Sequence, residues 1–275
     1  MKIINNYANF GCGPIFSDLG FDNYDYYDLP GKIKKIDLTR PLNIPNESYE
    51  VCYTSHSLEH LSYTNAIRFL KEIHRILKPQ GIVRIVVPDF ELLVKEYILK
   101  LESARISNQK KEKNLKIKTN LQFIVDLILD DLTKEDNHGI KRQRLNSGYY
   151  DYEYVKEISN FFNKENFVTQ KEVLSRSKII LRRIRTLINS ENKLNLFKQK
   201  IFSPFFKDPR KNGYAHKWMW DEMQLFYVLK DIGFISVKRH NFNSSEIRDW
   251  HKFKLDLNHE NGPLHPLSLY IEASK

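Results

Sequence analysis

The chain has 275 residues, of which 41% are hydrophobic and 28% charged, and a formal net charge of +10. That length and balance exclude intrinsic disorder and suit one large domain, or one domain carrying an elaboration. Cys12 and Cys52 are the only two cysteines, too few for a disulfide scaffold or a multi-cysteine zinc site.

No apolar run reaches the roughly 18–20 residues that cross a bilayer, and the first residues lack the pattern of a secretory leader. A cytoplasmic protein without a membrane span is expected. The charge is unevenly placed: residues 1–100 carry 12 basic and 12 acidic side chains, residues 216–275 carry 8 of each, and residues 101–215 carry 24 against 14. An excess of that sign in one segment favours an anionic partner.

Residues 3–10 read as a first strand running into Gly11-Cys12-Gly13-Pro14, a turn where missing Cβ atoms permit close backbone approach. Tyr24–Leu29, bounded by Pro30-Gly31, is the second candidate strand, and Lys35–Leu38 a short strand edge. Tyr49–Thr54 follows turn residues at Pro45–Ser48 and reads as a half-buried strand. Residues 64–77 form the clearest helix. Ile67, Leu70, Ile73 and Leu77 mark its apolar stripe, Ser62 or Thr64 its cap, and Lys78-Pro79-Gln80-Gly81 its stop. The nearly continuous apolar run Ile82–Val87 then completes a βαβ unit, implying parallel pairing.

Residues 89–100 are expected to be helical. Residues 101–215 read as a basic, largely helical insertion or lid, with a helix at Leu121–Leu132 and another at 171–189 bearing Arg176, Arg182, Arg183 and Arg185. From residue 216 the domain pattern resumes. Met223, Phe226, Leu229 and Ile232 mark a helix face closed by Gly233. The strands Ile235–Arg239 and Leu267–Ala273 lack a helix between them, so antiparallel pairing is expected. The domain organisation is thus 1–100 and 216–275 as two parts of one α/β domain, with 101–215 inserted.

The ordered series Asn9-Phe10-Gly11-Cys12-Gly13-Pro14, Asp37-Leu38-Thr39-Arg40-Pro41-Leu42, Ser55-His56-Ser57-Leu58-Glu59-His60-Leu61, Glu72–Gly81 and Val86-Val87-Pro88-Asp89 resembles the class I S-adenosylmethionine-dependent methyltransferases. Together with His216–Asp221 and His265–Tyr270, it resembles more narrowly a small bacterial branch with an Asn-Leu-Gly-Cys-Gly first motif. The resemblance covers roughly residues 1–100 and 214–275. It implies a Rossmann-like sheet, mostly parallel with an antiparallel last strand, and S-adenosyl-L-methionine as cofactor with S-adenosyl-L-homocysteine as product.

It also assigns residues. Asn9, Gly11, Cys12 and Gly13 face the amino-acid end of the cofactor, and Asp28, with Asp25 as runner-up, takes the ribose hydroxyls. Asp37 takes the adenine amino group beside the Leu38 backbone, and Ser55 lines the pocket. His56, then His60, then Asp89 are the candidates for proton transfer from an acceptor hydroxyl. No metal ion is assigned.

The branch is associated with surface-polysaccharide biosynthesis, which suggests a small anionic acceptor such as a nucleotide-linked or phosphate-bearing glycan precursor, perhaps for a capsule modification. Two alternatives stand beside it. An RNA methyltransferase would use the basic insertion on a phosphate backbone, although nucleic acid is the less favoured partner because the arginines sit among apolar positions. A zinc hydrolase would use His56-x-x-Glu59-His60 as the inverted zinc-peptidase motif, which needs two i,i+4 histidines on one helix.

Overall fold

A computed structural model describes residues 6–17, 19–111, 114–133, 139–158, 215–265 and 267–275. The helix expected at 171–189, with its four arginines, lies outside the described residues. The chain divides into two compact units, Met1–Leu101 with His216–Lys275, and Glu102–Ala215.

The first unit is built on a seven-stranded sheet. Its strands are β1 (Tyr7–Phe10), β2 (Phe21–Asp25), β3 (Ile33–Lys35), β4 (Tyr49–Ser55), β5 (Leu77–Pro88), β6 (Ser236–His240) and β7 (Ser268–Ser274). They lie in the order β3-β2-β1-β4-β5-β7-β6. Strands β1 to β5 pair in parallel, whereas β7 runs antiparallel to both β5 and β6. This is the Rossmann-like sheet expected from the sequence.

Two strand boundaries differ from the sequence reading. β2 starts at Phe21 and ends at Asp25, so Tyr26, Tyr27 and Asp28 are exposed and outside it. The aromatic run that suggested a later strand is therefore turn surface. β3 covers Ile33–Lys35, which places Asp37 and Leu38 in the connection beyond it.

Helix α1 (Tyr63–Ile76) is capped by Ser62, whose hydroxyl accepts from the Asn65 N–H, and buries Ala66, Phe69, Leu70, Ile73 and Ile76. The stripe is rotated from the expected one: Ile67 is only partly buried, and Leu77 already belongs to β5. Each large apolar side chain buried this way contributes about 1.5–3 kcal/mol. Phe10 stacks on Tyr24 and meets Phe69 edge-on, so β1 and α1 share one apolar layer.

Helix α2 spans Phe90–Gln109, α3 Leu115–Thr133, α4 Gly139–Asn146 and α5 Tyr152–Ile158. Within the second unit the Asp130 carboxylate caps α4 by accepting from the Ile140 and Lys141 N–H groups. Phe123 of α3 packs against Tyr150 and Tyr154. Helix α6 (Glu222–Ile232) returns to the first unit, with Asp221 as N-cap and Gly233 in the left-handed conformation at its end. Its core face is Leu225, Val228 and Leu229, whereas Met223 is exposed, because the helix is rotated from the expected stripe.

On the other face of the sheet a buried cation ties three distant segments together. The Arg84 guanidinium donates to Asp256 Oδ2 at 2.7 Å, Glu272 Oε1 at 2.5 Å and the carbonyls of Ser244 and Asn241. The rings of Trp250 and Tyr270 lie over it at 5.2 and 5.3 Å. Asp256 also accepts from Tyr53 Oη and Trp250 Nε1. Every arm of the network is satisfied, which a buried charge requires.

Candidate active site

In a doubly wound sheet, ligands bind at the carboxyl ends of the strands where the winding reverses. Here that point lies between β1 and β4, and the turn after β1 and the loop after β4 meet there. Gly11 has φ +66° and Gly13 φ +53°, a region costly for residues with a Cβ. The Gly11 N–H donates to the Tyr24 carbonyl at 2.8 Å, and its own carbonyl accepts from Ser57 Oγ at 3.0 Å. A Cβ on Gly11 would lie 2.0 Å from Ser57 Oγ, whereas one on Gly13 would meet nothing within 4 Å. Gly11 is thus required by the protein's own loop, and Gly13 borders open space.

Asp25, at the carboxyl end of β2, accepts from the Gly13 N–H at 2.8 Å and from the Tyr26 N–H at 2.7 Å. The acid at the end of the second strand is therefore Asp25. Asp28 stands exposed in the turn beyond it, which corrects the order of the two candidates. Tyr27 Oη donates to the Gly13 carbonyl and pins the turn from the other side.

Cys12 is buried, and burial followed by the charge of Asp25 pushes its thiol up to about 12, so it is no nucleophile at neutral pH. Asn9 is buried, its amide nitrogen 3.4 Å from both Asn23 Oδ1 and the Ile15 carbonyl, where it holds the turn together. Asp37 accepts from the Thr39 N–H and Oγ1 and pairs with Arg40 at 3.2 Å; the Thr39 hydroxyl is the main cause that holds its carboxyl below the usual range. A Cβ on Gly11 would lie 3.9 Å from Leu38 Cδ1, which puts Leu38 beside the turn.

β4 ends at Ser55, which is half-buried. His56 follows with φ +49°, its N–H donating to the Val86 carbonyl. The His56 ring lies between two groups, with Nε2 2.9 Å from Ser268 Oγ and Nδ1 3.1 Å from Glu59 Oε1. Its ring centroid is 3.9 Å from that of His265. Burial, and then the neighbouring His56, pull the His265 imidazole down to about 3, so His265 is neutral.

Glu59 has a side chain 0% exposed. Burial alone would raise its carboxyl, but His56 first, then His216 and His60, outweigh that and hold it at about 2. His60 meets the His216 ring edge-on at 4.9 Å. The Glu59 carbonyl accepts from the Lys217 and Trp218 N–H groups, which fastens residues 216–218 to this loop. Of the tryptophans near His216, Trp220 is core and Trp218 partly exposed.

Two readings of the sequence are overturned. His56 and His60 do not share a helix face: the chain turns through a left-handed His56 into a single 3-10 turn at Leu58–His60. The zinc-peptidase helix is absent, and with it the geometry that the zinc-hydrolase alternative needs. Asp89, the third proton-transfer candidate, is occupied elsewhere. It is 1% exposed, its Oδ1 caps α2 through the Leu92 N–H, and its Oδ2 accepts from Arg239 at 2.7 Å. Replacing Asp89 by alanine is expected to cost about 1–2 kcal/mol in urea denaturation, as loss of a helix cap does. The affinity for S-adenosylhomocysteine should stay unchanged; a loss there would return Asp89 to the site.

Residues 25–85 match the methyltransferase domain family model. Among curated proteins none matches the chain. Solved structures similar to it include an S-adenosylmethionine-dependent methyltransferase from Archaeoglobus fulgidus, 13% identical, covering 98% of this chain and 85% of that one with a TM-score of 0.42. One from Mesorhizobium loti is 17% identical and covers 32% of this chain and 50% of that one, at a TM-score of 0.27. The Burkholderia thailandensis 1,6-didemethyltoxoflavin-N1-methyltransferase, solved with S-adenosylhomocysteine, is 15% identical and covers 30% and 44%, at 0.26. The chain thus spans half the length of the Mesorhizobium protein.

These likenesses are too distant to carry an argument. The matched segment and the sheet itself define the class: a Rossmann-like, S-adenosylmethionine-dependent methyltransferase domain. The glycine turn at the switch point, open on the Gly13 side, fits that cofactor.

Proposed function

We propose that the chain transfers a methyl group from S-adenosyl-L-methionine to an oxygen of a small, polar, anionic acceptor. The observation that carries the reading is the Gly11–Gly13 turn at the switch point, next to the loop that holds His56. When bound, the cofactor supplies a methyl group already activated on a sulfonium. The protein's work is therefore mainly to hold and align.

In this reading Gly13 leaves room for the amino-acid end of the cofactor, whose contacts would lie along Asn9 to Gly13. Asp25 keeps lone pairs for the ribose hydroxyls beyond the two N–H groups it already accepts. Asp37 and the Leu38 backbone take the adenine edge, and Ser55 lines the wall. His56 receives the acceptor's proton, oriented by Ser268 and by the buried Glu59. A nucleotide-linked or phosphate-bearing glycan precursor remains the acceptor class we favour, on the positive excess of residues 101–215. Among the described residues no helix is long and apolar enough to cross a membrane.

Calorimetry with S-adenosylhomocysteine tests the cofactor claim. Binding is expected in the wild type, weakened about 10–100-fold by Asp25→Ala, the usual worth of a hydrogen bond to a charged group. No binding by the folded protein would end the proposal. His56→Ala should keep that affinity while lowering transfer to a screened nucleotide-sugar pool about 100-fold or more.

A further inference from the structure

The geometry points to a divalent transition-metal site formed by Glu59, His60 and His216. One ligand atom from each lies within 4.8 Å of the other two. Ligands of a tetrahedral ion with bonds of about 2.0–2.2 Å sit roughly 3.5 Å apart, so small side-chain rotations close the trio.

Glu59 supplies the main argument. Its carboxylate is fully buried, and neither oxygen receives a hydrogen bond of good geometry. The nearest cation-forming group is His56, whose Nδ1 contacts Oε1 only. A buried carboxylate left in that state costs several kcal/mol unless a cation meets it. The three groups are also held ready. His216 is itself buried and comes from a remote part of the sequence. The Lys217 N–H, at 2.7 Å, and the Trp218 N–H, at 3.3 Å, clip its segment onto the Glu59 carbonyl.

A second trio, His240, Glu246 and Glu272, is equally close, and shows what a structural cluster looks like. There Glu272 accepts from Arg84, Ser245 Oγ and the Glu246 N–H, leaving no role for an ion. Glu59 has no such donors.

Two imidazoles and one carboxylate suit zinc, or iron, cobalt and nickel, and discriminate against magnesium and calcium. Three protein ligands leave a coordination position for an oxygen from outside the chain, and an ion there would act on that oxygen as a Lewis acid. Metal binding does not depend on the methyl-transfer reading, and the two fail separately.

The test uses full-length protein stripped with chelator, then titrated with Zn²⁺ in the calorimeter and with Co²⁺ by visible absorption. One equivalent is expected to bind, with the intense cobalt bands of a low-coordinate site. His216→Ala and Glu59→Gln should each weaken binding by more than the roughly 10–100-fold that loss of an outer partner costs. His251→Ala, at an exposed histidine, should change nothing. Circular dichroism and binding of S-adenosylhomocysteine show that each variant is folded. Folded protein that ignores 100-micromolar-scale Zn²⁺, or a folded His216→Ala variant that binds as wild type, overturns the site while leaving the cofactor claim standing.

Discussion

Gly11→Ala is expected to abolish binding of S-adenosylhomocysteine and to destabilise the fold. Two costs add. Holding a non-glycine residue at φ +66° costs about 1–2 kcal/mol. The new methyl group would also stand 2.0 Å from Ser57 Oγ, an overlap that must be relieved by moving either the turn or the loop after β4. Overpacking of that kind typically costs a further 1–3 kcal/mol or so. Moving the loop breaks the hydrogen bond from Ser57 to the Gly11 carbonyl and shifts His56, one residue away. A double-mutant cycle separates the two costs. With Ser57→Gly in the background, the alanine loses its clash but keeps its φ, so part of the stability and some affinity should return. If Gly11→Ala binds as wild type, the turn is not part of the cofactor site.

The second large effect is expected at Arg84→Leu. Its side chain is 0% exposed, as are the carboxylates it joins to within 2%. Removing the cation strands Asp256 and Glu272 in the interior, and breaking a buried network in this way costs about 3–5 kcal/mol. Asp256 would keep Tyr53 and Trp250 as donors, and Glu272 would keep Ser245 and the Glu246 N–H, so the lower half of that range is the better expectation. Urea denaturation reads the change directly. An unchanged midpoint would show that the segment from Asn241 to Asp256 is held by its aromatic packing on Phe21 and Tyr53 instead.

What the sequence disclosed, and what it hid, divides along the range of the interactions. The sheet was readable because its strands are apolar runs punctuated by turns. β5 announces itself in Ile82–Val87, and the missing helix before β7 implied the antiparallel pair. The glycine turn was readable because two glycines two residues apart have few other uses. Arg84 looked like one polar interruption in β5, since its partners at Ser244, Asp256 and Glu272 lie far along the chain. For the same reason Glu59 passed as the start of a helix: its burial depends on His216, and nothing local in the sequence joins them. Ser57, the residue for which Gly11 makes room, and His265 and Ser268, the neighbours of His56, were likewise invisible as contacts. The order of Asp25 and Asp28 was a boundary question. Aromatic residues that favour a strand by propensity carried the reading three residues too far. Asp89 shows the opposite lesson, since the position after a strand and before a helix suits a cap as well as a catalyst.

The join between β5 and β7 has a kinetic consequence. Arg84 and Glu272 face each other across the middle of the sheet and are 188 residues apart in sequence. Five parallel strands can therefore assemble while one flank of β5 still lacks its neighbour, and contacts of such long sequence separation are slow to form. Through that interval the uncovered flank offers a template to any other extended chain. Refolding yield should fall as protein concentration rises, and adding a soluble peptide that spans Ser268–Ser274 should compete for the vacancy.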